Sequence, residues 1–161
     1  MLSSVLMYNL WQNIREEDLQ HLWLIAEYGQ LAAKDITPFQ KLVFLVRDWY
    51  YPLSAPYGPD GGLDVLHQRL KAPVVQTTEM RIVREHIDAC FKRKGCFLLP
   101  YPWREVRWSF STGTLSLPSL RGRLSCLSTT FREQLQKLVR SILAPQNLLV
   151  KEVNARSRAR N

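Results

Sequence analysis

Two segments carry polar side chains directly after runs that read as buried strands. Leu42 to Val46 (LVFLV) stops abruptly at Arg47-Asp48, and Cys96 to Leu99 (CFLL) stops at Pro100 and leads into Tyr101 to Ser109. Continuous apolar runs of this kind suit strands covered on both faces of a parallel sheet. Ligands of such sheets bind beyond the carboxyl ends of the strands. A guanidinium and a carboxylate placed there can hold a polar ligand, or can simply pair with each other, which is the commoner outcome for an Arg-Asp dipeptide taken alone. His86 and Cys90, four apart on a predicted helix with Cys96 nearby, have the spacing of two metal ligands. A third and fourth ligand are not evident, so packing residues are the expected reading and no metal site is assigned. Phosphate cradling would need a GxxxxGK[ST] turn. None of the seven glycines is followed by Lys-Ser or Lys-Thr.

The elements around these residues follow from periodicity. Ser3 to Leu10 (SSVLMYNL) reads as a buried strand. Asn13 with Glu16 makes a capping-box start, after which Leu19, Leu22, Ala26 and Gly29 recur at helical spacing. The aromatic, Pro- and Gly-rich stretch Trp49 to Gly62 is loop chemistry, and Leu63, Leu66 and Leu70 mark a short helix after it. Thr78 is expected to cap a helix with Val83, Ile87 and Phe91 on one face. Residues 103 to 128 show no period and read as a long irregular connection. Thr130 with Glu133 opens a last amphipathic helix through Phe131, Leu135, Leu138 and Ile142, ending before Pro145. Asn147 to Val153 follows, and a basic tail, 155–161, is expected to be disordered. Strands alternating with helices imply an α/β domain with helices packed on a largely parallel sheet.

Composition excludes several classes. With 46% hydrophobic residues over 161 positions the chain is neither disordered nor fibrous, and one domain is expected. No apolar run is long enough to span a bilayer, and the first ten residues lack the basic flank and cleavage site of a signal peptide. Three cysteines without CxxC spacing argue against a disulfide framework and fit a reducing compartment. The net charge of +8 is uneven: residues 1–90 hold 8 Lys/Arg against 11 Asp/Glu, and residues 91–161 hold 14 against 3. The basic half could meet nucleic acid or an anionic surface. Nucleic acid is disfavoured because the arginines of 121–160 do not interleave with aromatics.

The stretches SSVLMYNLWQNIREEDLQHLWLIAEYG (3–29), PFQKLVFLVRDWYYP (38–52), YGPDGG (57–62), CFLLPYP (96–102) and FREQLQKLVRSILAPQNLLVKEVN (131–154) resemble the atlastin branch of the dynamin-superfamily GTPases, relatives of the guanylate-binding proteins. The most specific feature is RDW after LVFLV followed by a YGxDGG loop. The resemblance implies that residues 1–154 are the C-terminal part of a P-loop GTPase domain, with three largely parallel buried strands and flanking helices.

In that family the Arg-Asp pair reads guanine, a role that the resemblance carries onto Arg47 and Asp48. The purine offers two adjacent donors, N1–H and the exocyclic amine, and one fixed carboxylate accepts both. Adenine has an acceptor at N1, which would leave that carboxylate repelled. Arg47 would lie along the base as a lysine could not. The family's second base-contacting segment falls on Val106, an apolar wall, and Ser109, which stands where the family usually has Asn. The resemblance further implies GTP as ligand through its guanine part, and Mg2+ in the complete family domain, whose magnesium ligands, switch and catalytic arginine precede the stretch matched here. The chain alone is therefore expected not to hydrolyse GTP. It also implies a homo- or heterodimer through the GTPase domain and a place on the cytosolic face of the endoplasmic reticulum, where the family tethers and fuses membranes; without a transmembrane segment this chain would be cytosolic or recruited there. Two other functions stay open: a non-catalytic module pairing with a full-length relative, and a basic binder of nucleic acid or an anionic surface, nucleic acid being the less expected of the two.

Overall fold

A computed structural model describes residues 5–33, 39–71, 77–102 and 127–147. Its elements are β1 (Val5–Trp11), α1 (Glu16–Ala33), β2 (Phe39–Arg47), α2 (Pro59–Leu70), α3 (Thr78–Cys90), β3 (Phe91–Leu98) and α4 (Thr129–Leu143), followed by a 3-10 turn at Pro145–Asn147. The strands form one three-stranded sheet in the order β1-β2-β3. Both pairings are parallel, so the expected α/β class with a parallel sheet is what the chain adopts. The expected irregular connection, the stretch from Leu148 onward and the basic tail lie outside the described residues, except that Leu127 and Ser128 are described.

Alternation along β2 divides the core. Leu42, Phe44 and Val46 point to one face, where Leu19, Leu22 and Ala26 of α1, Val65 and Leu66 of α2, and Val83 and Ile87 of α3 close over them. Phe97 and Leu99 on the other face meet Leu138 of α4, with Leu45, Phe131, Leu135 and Ile142 around them. A sheet covered on both sides explains why LVFLV carries no polar residue. The second face is only partly covered: Met7 and Trp11 of β1, on the side away from the first core, are 39% and 56% exposed.

The YGPDGG loop has a packing reason at each end. Gly58 sits at φ 98, where a side chain would be strained, and forms an antiparallel bridge with Leu98: its N–H donates to the Leu98 carbonyl at 2.9 Å and its carbonyl accepts the Leu98 N–H at 3.2 Å. Pro59 then opens α2 at a first-turn position that needs no N–H. Four residues on, a Cβ at Gly62 would stand 2.2 Å from the Cys96 carbonyl oxygen, so the absence of a side chain lets α2 lie directly on β3.

Several boundaries differ from the sequence expectation. The box expected from Asn13 and Glu16 does not form. Instead Asp18 Oδ2 accepts the Arg15 N–H at 2.8 Å, and Asn13 Oδ1 accepts the Ile14 N–H at 2.9 Å. Helix α2 begins at Pro59, four residues before Leu63, because Pro at the first position and two small residues extend the turn backward. Thr77 caps α3 in place of Thr78, and Ser128 caps α4 in place of Thr130; each holds an extended backbone and accepts an N–H three residues on, from Met80 at 3.3 Å and Phe131 at 3.1 Å. Phe91 is the first residue of β3 rather than part of a helix face, since α3 passes into the strand without a loop.

Candidate functional site

The carboxyl end of β2 is irregular in a specific way. The Leu99 N–H donates to the Val46 carbonyl at 2.8 Å, continuing the β2-β3 ladder. In a regular parallel ladder the next donor to the Leu99 carbonyl would be Asp48. Trp49 donates instead, at 2.9 Å, so one extra residue is accommodated as a bulge. Asp48 takes up the bulge with φ 56, a left-handed conformation that aspartate tolerates better than most residues. On the β1 side Gln12 is also left-handed, at φ 62; its N–H donates to the Arg47 carbonyl at 2.7 Å, and the Asn13 N–H turns back to Trp11 at 2.7 Å. Two left-handed non-glycine residues thus flank the end of one strand pair.

Trp49 fixes the bulge from below. Its ring is buried, and its Nε1–H donates to the Ala55 carbonyl at 2.9 Å, folding the loop back beneath it. Tyr51 meets this ring edge-on. Arg47 is exposed and its Nε donates to Asn9 Oδ1 on β1 at 2.7 Å. Asn9, and not an ion pair with Asp48, therefore orients the guanidinium. Asp48 itself is half-buried, and among the described residues its carboxylate accepts no hydrogen bond and joins no ion pair. A carboxylate with free acceptor capacity, at the carboxyl end of the central strand, can take two adjacent donors of a ligand. Val106 and Ser109 lie outside the described residues.

The residues weighed as metal ligands serve the α1-α3 seam. His86 Nε2 lies 3.2 Å from both Cys90 Sγ and Glu27 Oε1, and the Gln30 amide donates to the same sulfur at 3.1 Å. Burial raises the Cys90 thiol pKa and the Glu27 carboxylate adds to this, while burial pushes Cys96 up to about 12. Both thiols stay protonated at neutral pH. Among the described residues no group of three His, Cys, Asp or Glu side chains is gathered to hold a metal ion, and no helix is long and apolar enough to cross a membrane.

Sequence reading missed three features. Asn9 and Gln12 carry no motif signal, because their roles arise from register with Arg47. Tyr50 and Tyr101 stack across the loops that follow β2 and β3; aromatic loop composition was visible, but not their pairing. The third is Arg84, which is buried on α3, grips both Glu16 carboxylate oxygens, and donates to the Arg69 carbonyl at 3.0 Å and to the Met80 carbonyl at 3.1 Å. It ties the start of α1 to the end of α2.

The family described as guanylate-binding protein, N-terminal domain, matches residues 1–152. Human Atlastin-2 is 47% identical over 156 residues, covering 96% of this chain and 25% of that protein. Atlastin of Drosophila melanogaster is 46% identical with 100% of this chain and 29% of that protein covered, and Atlastin-1 of Rattus norvegicus 43% identical with 96% and 26% covered. The chain spans between 25% and 29% of the length of these relatives. It belongs to the guanylate-binding protein N-terminal domain family, on its atlastin branch.

Proposed function

We propose that this chain is the guanine-reading part of an atlastin-type GTP-binding domain, with Asp48 accepting N1–H and the exocyclic amine of the base and Arg47 lying along its plane. The observation that carries this reading is the bulge: Asp48 is held left-handed at the carboxyl end of the central strand, with its acceptor oxygens unengaged among the described residues. Strained conformations of this kind persist where the surroundings over-determine them, and they cluster at binding sites. Val106 and Ser109 are proposed as the second wall of the base site, and residues 1–154 as the domain unit with 155–161 as a basic tail. Phosphates and Mg2+ fall to parts of the family domain outside this sequence, so we propose no hydrolysis by this chain alone. Membrane tethering and fusion at the endoplasmic reticulum, with dimerisation through the GTPase domain, is proposed only for a complete domain.

The test is a titration of the purified chain with GMP and AMP, followed by amide chemical shifts. GMP is expected to move resonances around Asp48 at millimolar concentration, since the base alone offsets little of the cost of association, and AMP is expected to bind on the order of a hundredfold more weakly. Equal affinity for both would sink the reading, as would magnesium-dependent GTP turnover by the chain alone for the non-catalytic part.

A second reading is favoured by one observation: among the described residues no strand pairs with the outer edge of β1, and Met7 and Trp11 beside it are exposed. A strand edge with no partner strand among the described residues is a template for another chain. This supports a module that pairs with a full-length relative. Pull-down with such a relative, with and without a GTP analogue, tests it.

A further inference from the structure

An aromatic pair beside Asp48 has no part in reading the base edge. Tyr50 follows Asp48 by two residues and Tyr101 follows Leu99 by two, and the Trp49-to-Leu99 hydrogen bond holds the two loops side by side at the carboxyl end of the sheet. The rings stack with centroids 6.3 Å apart and planes 26° apart. Tyr50 is 54% exposed and Tyr101 44%, unlike the neighbouring Trp49, which is buried and hydrogen-bonded. Neither Tyr50 nor Tyr101 has a hydroxyl partner among the described residues. The pair therefore neither fills the core nor is fixed by its polar ends.

A carboxylate that accepts the donor edge of a purine orients the base in its plane but holds neither π-face itself; with Arg47 along one face, the other can take an aromatic ring. An aromatic ring supports such a face whatever the base, because every base presents one. We infer that Tyr50 and Tyr101 form an aromatic platform that stacks the purine whose edge Asp48 accepts. The inference rests on the reading of Asp48 given above and divides the labour at the site: the platform supplies affinity for any purine, and Asp48 supplies the preference for guanine.

The full chain is titrated with GMP and with AMP, observing tyrosine ring protons and amide shifts, for the wild type and for Tyr50→Ala, Tyr101→Ala, Tyr101→Phe and Asp48→Asn. GMP should shift the ring resonances of Tyr50 and Tyr101. Each alanine variant should bind both nucleotides about tenfold more weakly with an unchanged GMP-to-AMP ratio, and Tyr101→Phe should bind as the wild type does. Asp48→Asn should instead abolish the ratio. Ring resonances unmoved at saturating GMP overturn the platform, and so do alanine variants that bind normally; in that case a lost preference in Asp48→Asn leaves the guanine reading intact. Weakened alanine variants together with an unchanged preference in Asp48→Asn keep the platform and overturn the role of Asp48. Absence of binding by either nucleotide overturns both. Because the ring shifts are read on the unmodified protein and Tyr101→Phe keeps the ring, a folding defect in an alanine variant cannot decide the outcome.

Discussion

Half of the acidic side chains other than Asp48 in the described structure are engaged, including every half-buried one. Glu16 is held by Arg84, Glu27 by His86, Glu85 by Arg81 and Asp88 by Lys94, while Asp18 caps α1. Asp48 is left with its oxygens unengaged in a conformation costing about 1 kcal/mol, an arrangement with no evident benefit to stability. If it serves a ligand, the chemistry of the replacement is dictated by the donor pattern of the base. Asparagine keeps the size and tolerates the left-handed backbone, but replaces one acceptor by an amide donor. Xanthine carries a carbonyl where guanine carries its amine. Asp48→Asn is therefore expected to lose GMP preference and gain xanthosine monophosphate binding, on the order of tenfold or more, with unchanged thermal stability. Competition of the three monophosphates against wild type and variant, followed by the same amide shifts, checks this. A variant that loses GMP without gaining the xanthine nucleotide would point to a structural role for the carboxylate.

Packing between elements sets sharper limits than composition does, and two glycines show it. At Gly62 a methyl group would meet the backbone oxygen of Cys96 at 2.2 Å, and neither partner is a flexible side-chain end that could move aside. Gly62→Ala must push α2 off β3, and a loss of about 3 kcal/mol is expected. At Gly95, in β3, an added Cβ meets nothing within 4 Å. Gly95→Ala should be neutral or stabilise by up to about 1 kcal/mol through the reduced freedom of the unfolded chain. Urea unfolding of both variants separates a packing requirement from a general intolerance of alanine. The same contrast explains what was readable in advance. The strands around Leu42 and Cys96 and the helical faces through Leu19 and Leu138 were legible because burial enforces periodicity over many residues. Caps slipped by a residue or more because Thr77 and Thr78 offer the same hydroxyl, and because the Thr130-Glu133 spacing favours Thr130 over Ser128, which has Phe131 in place of an acidic partner, while backbone geometry selects the residue that caps. At the site, Arg47-Asp48 was legible as a strand terminus. The bulge, the Asn9 tether and the Tyr50-Tyr101 stack were not, since each arises from register between segments distant in sequence.

At the scale of the molecule the first core is closed, while on the second face Met7 and Trp11 are exposed, and each has a consequence. Cys96, whose folded pKa is raised from 9.0 to about 12, and Cys90, raised in the same direction, are thiols that the core keeps neutral. Their contribution is full below pH 9. Above it the unfolded chain releases protons that the folded chain retains, so stability falls as pH rises toward 12, by up to about 1.4 kcal/mol per pH unit for Cys96, with Cys90 acting in the same direction. The half-buried tyrosines Tyr8 and Tyr57 add the same sign. Unfolding midpoints in urea should be flat near neutrality and decline through pH 9 to 11, and Cys96→Ala should show a shallower decline. The second face concerns association. Met7 and Trp11 project from what is, among the described residues, an edge strand of a parallel sheet, a position that such sheets normally bury, whereas Leu53 is fully exposed on the loop between β2 and α2. If the β1 edge drives pairing, Met7→Ser with Trp11→Ser should lower the weight-average mass in sedimentation equilibrium by up to about twofold, to that of the monomer, and Leu53→Ser should leave it unchanged. Equal effects of the loop and strand substitutions would show that pairing follows exposed apolar area in general and not the strand edge.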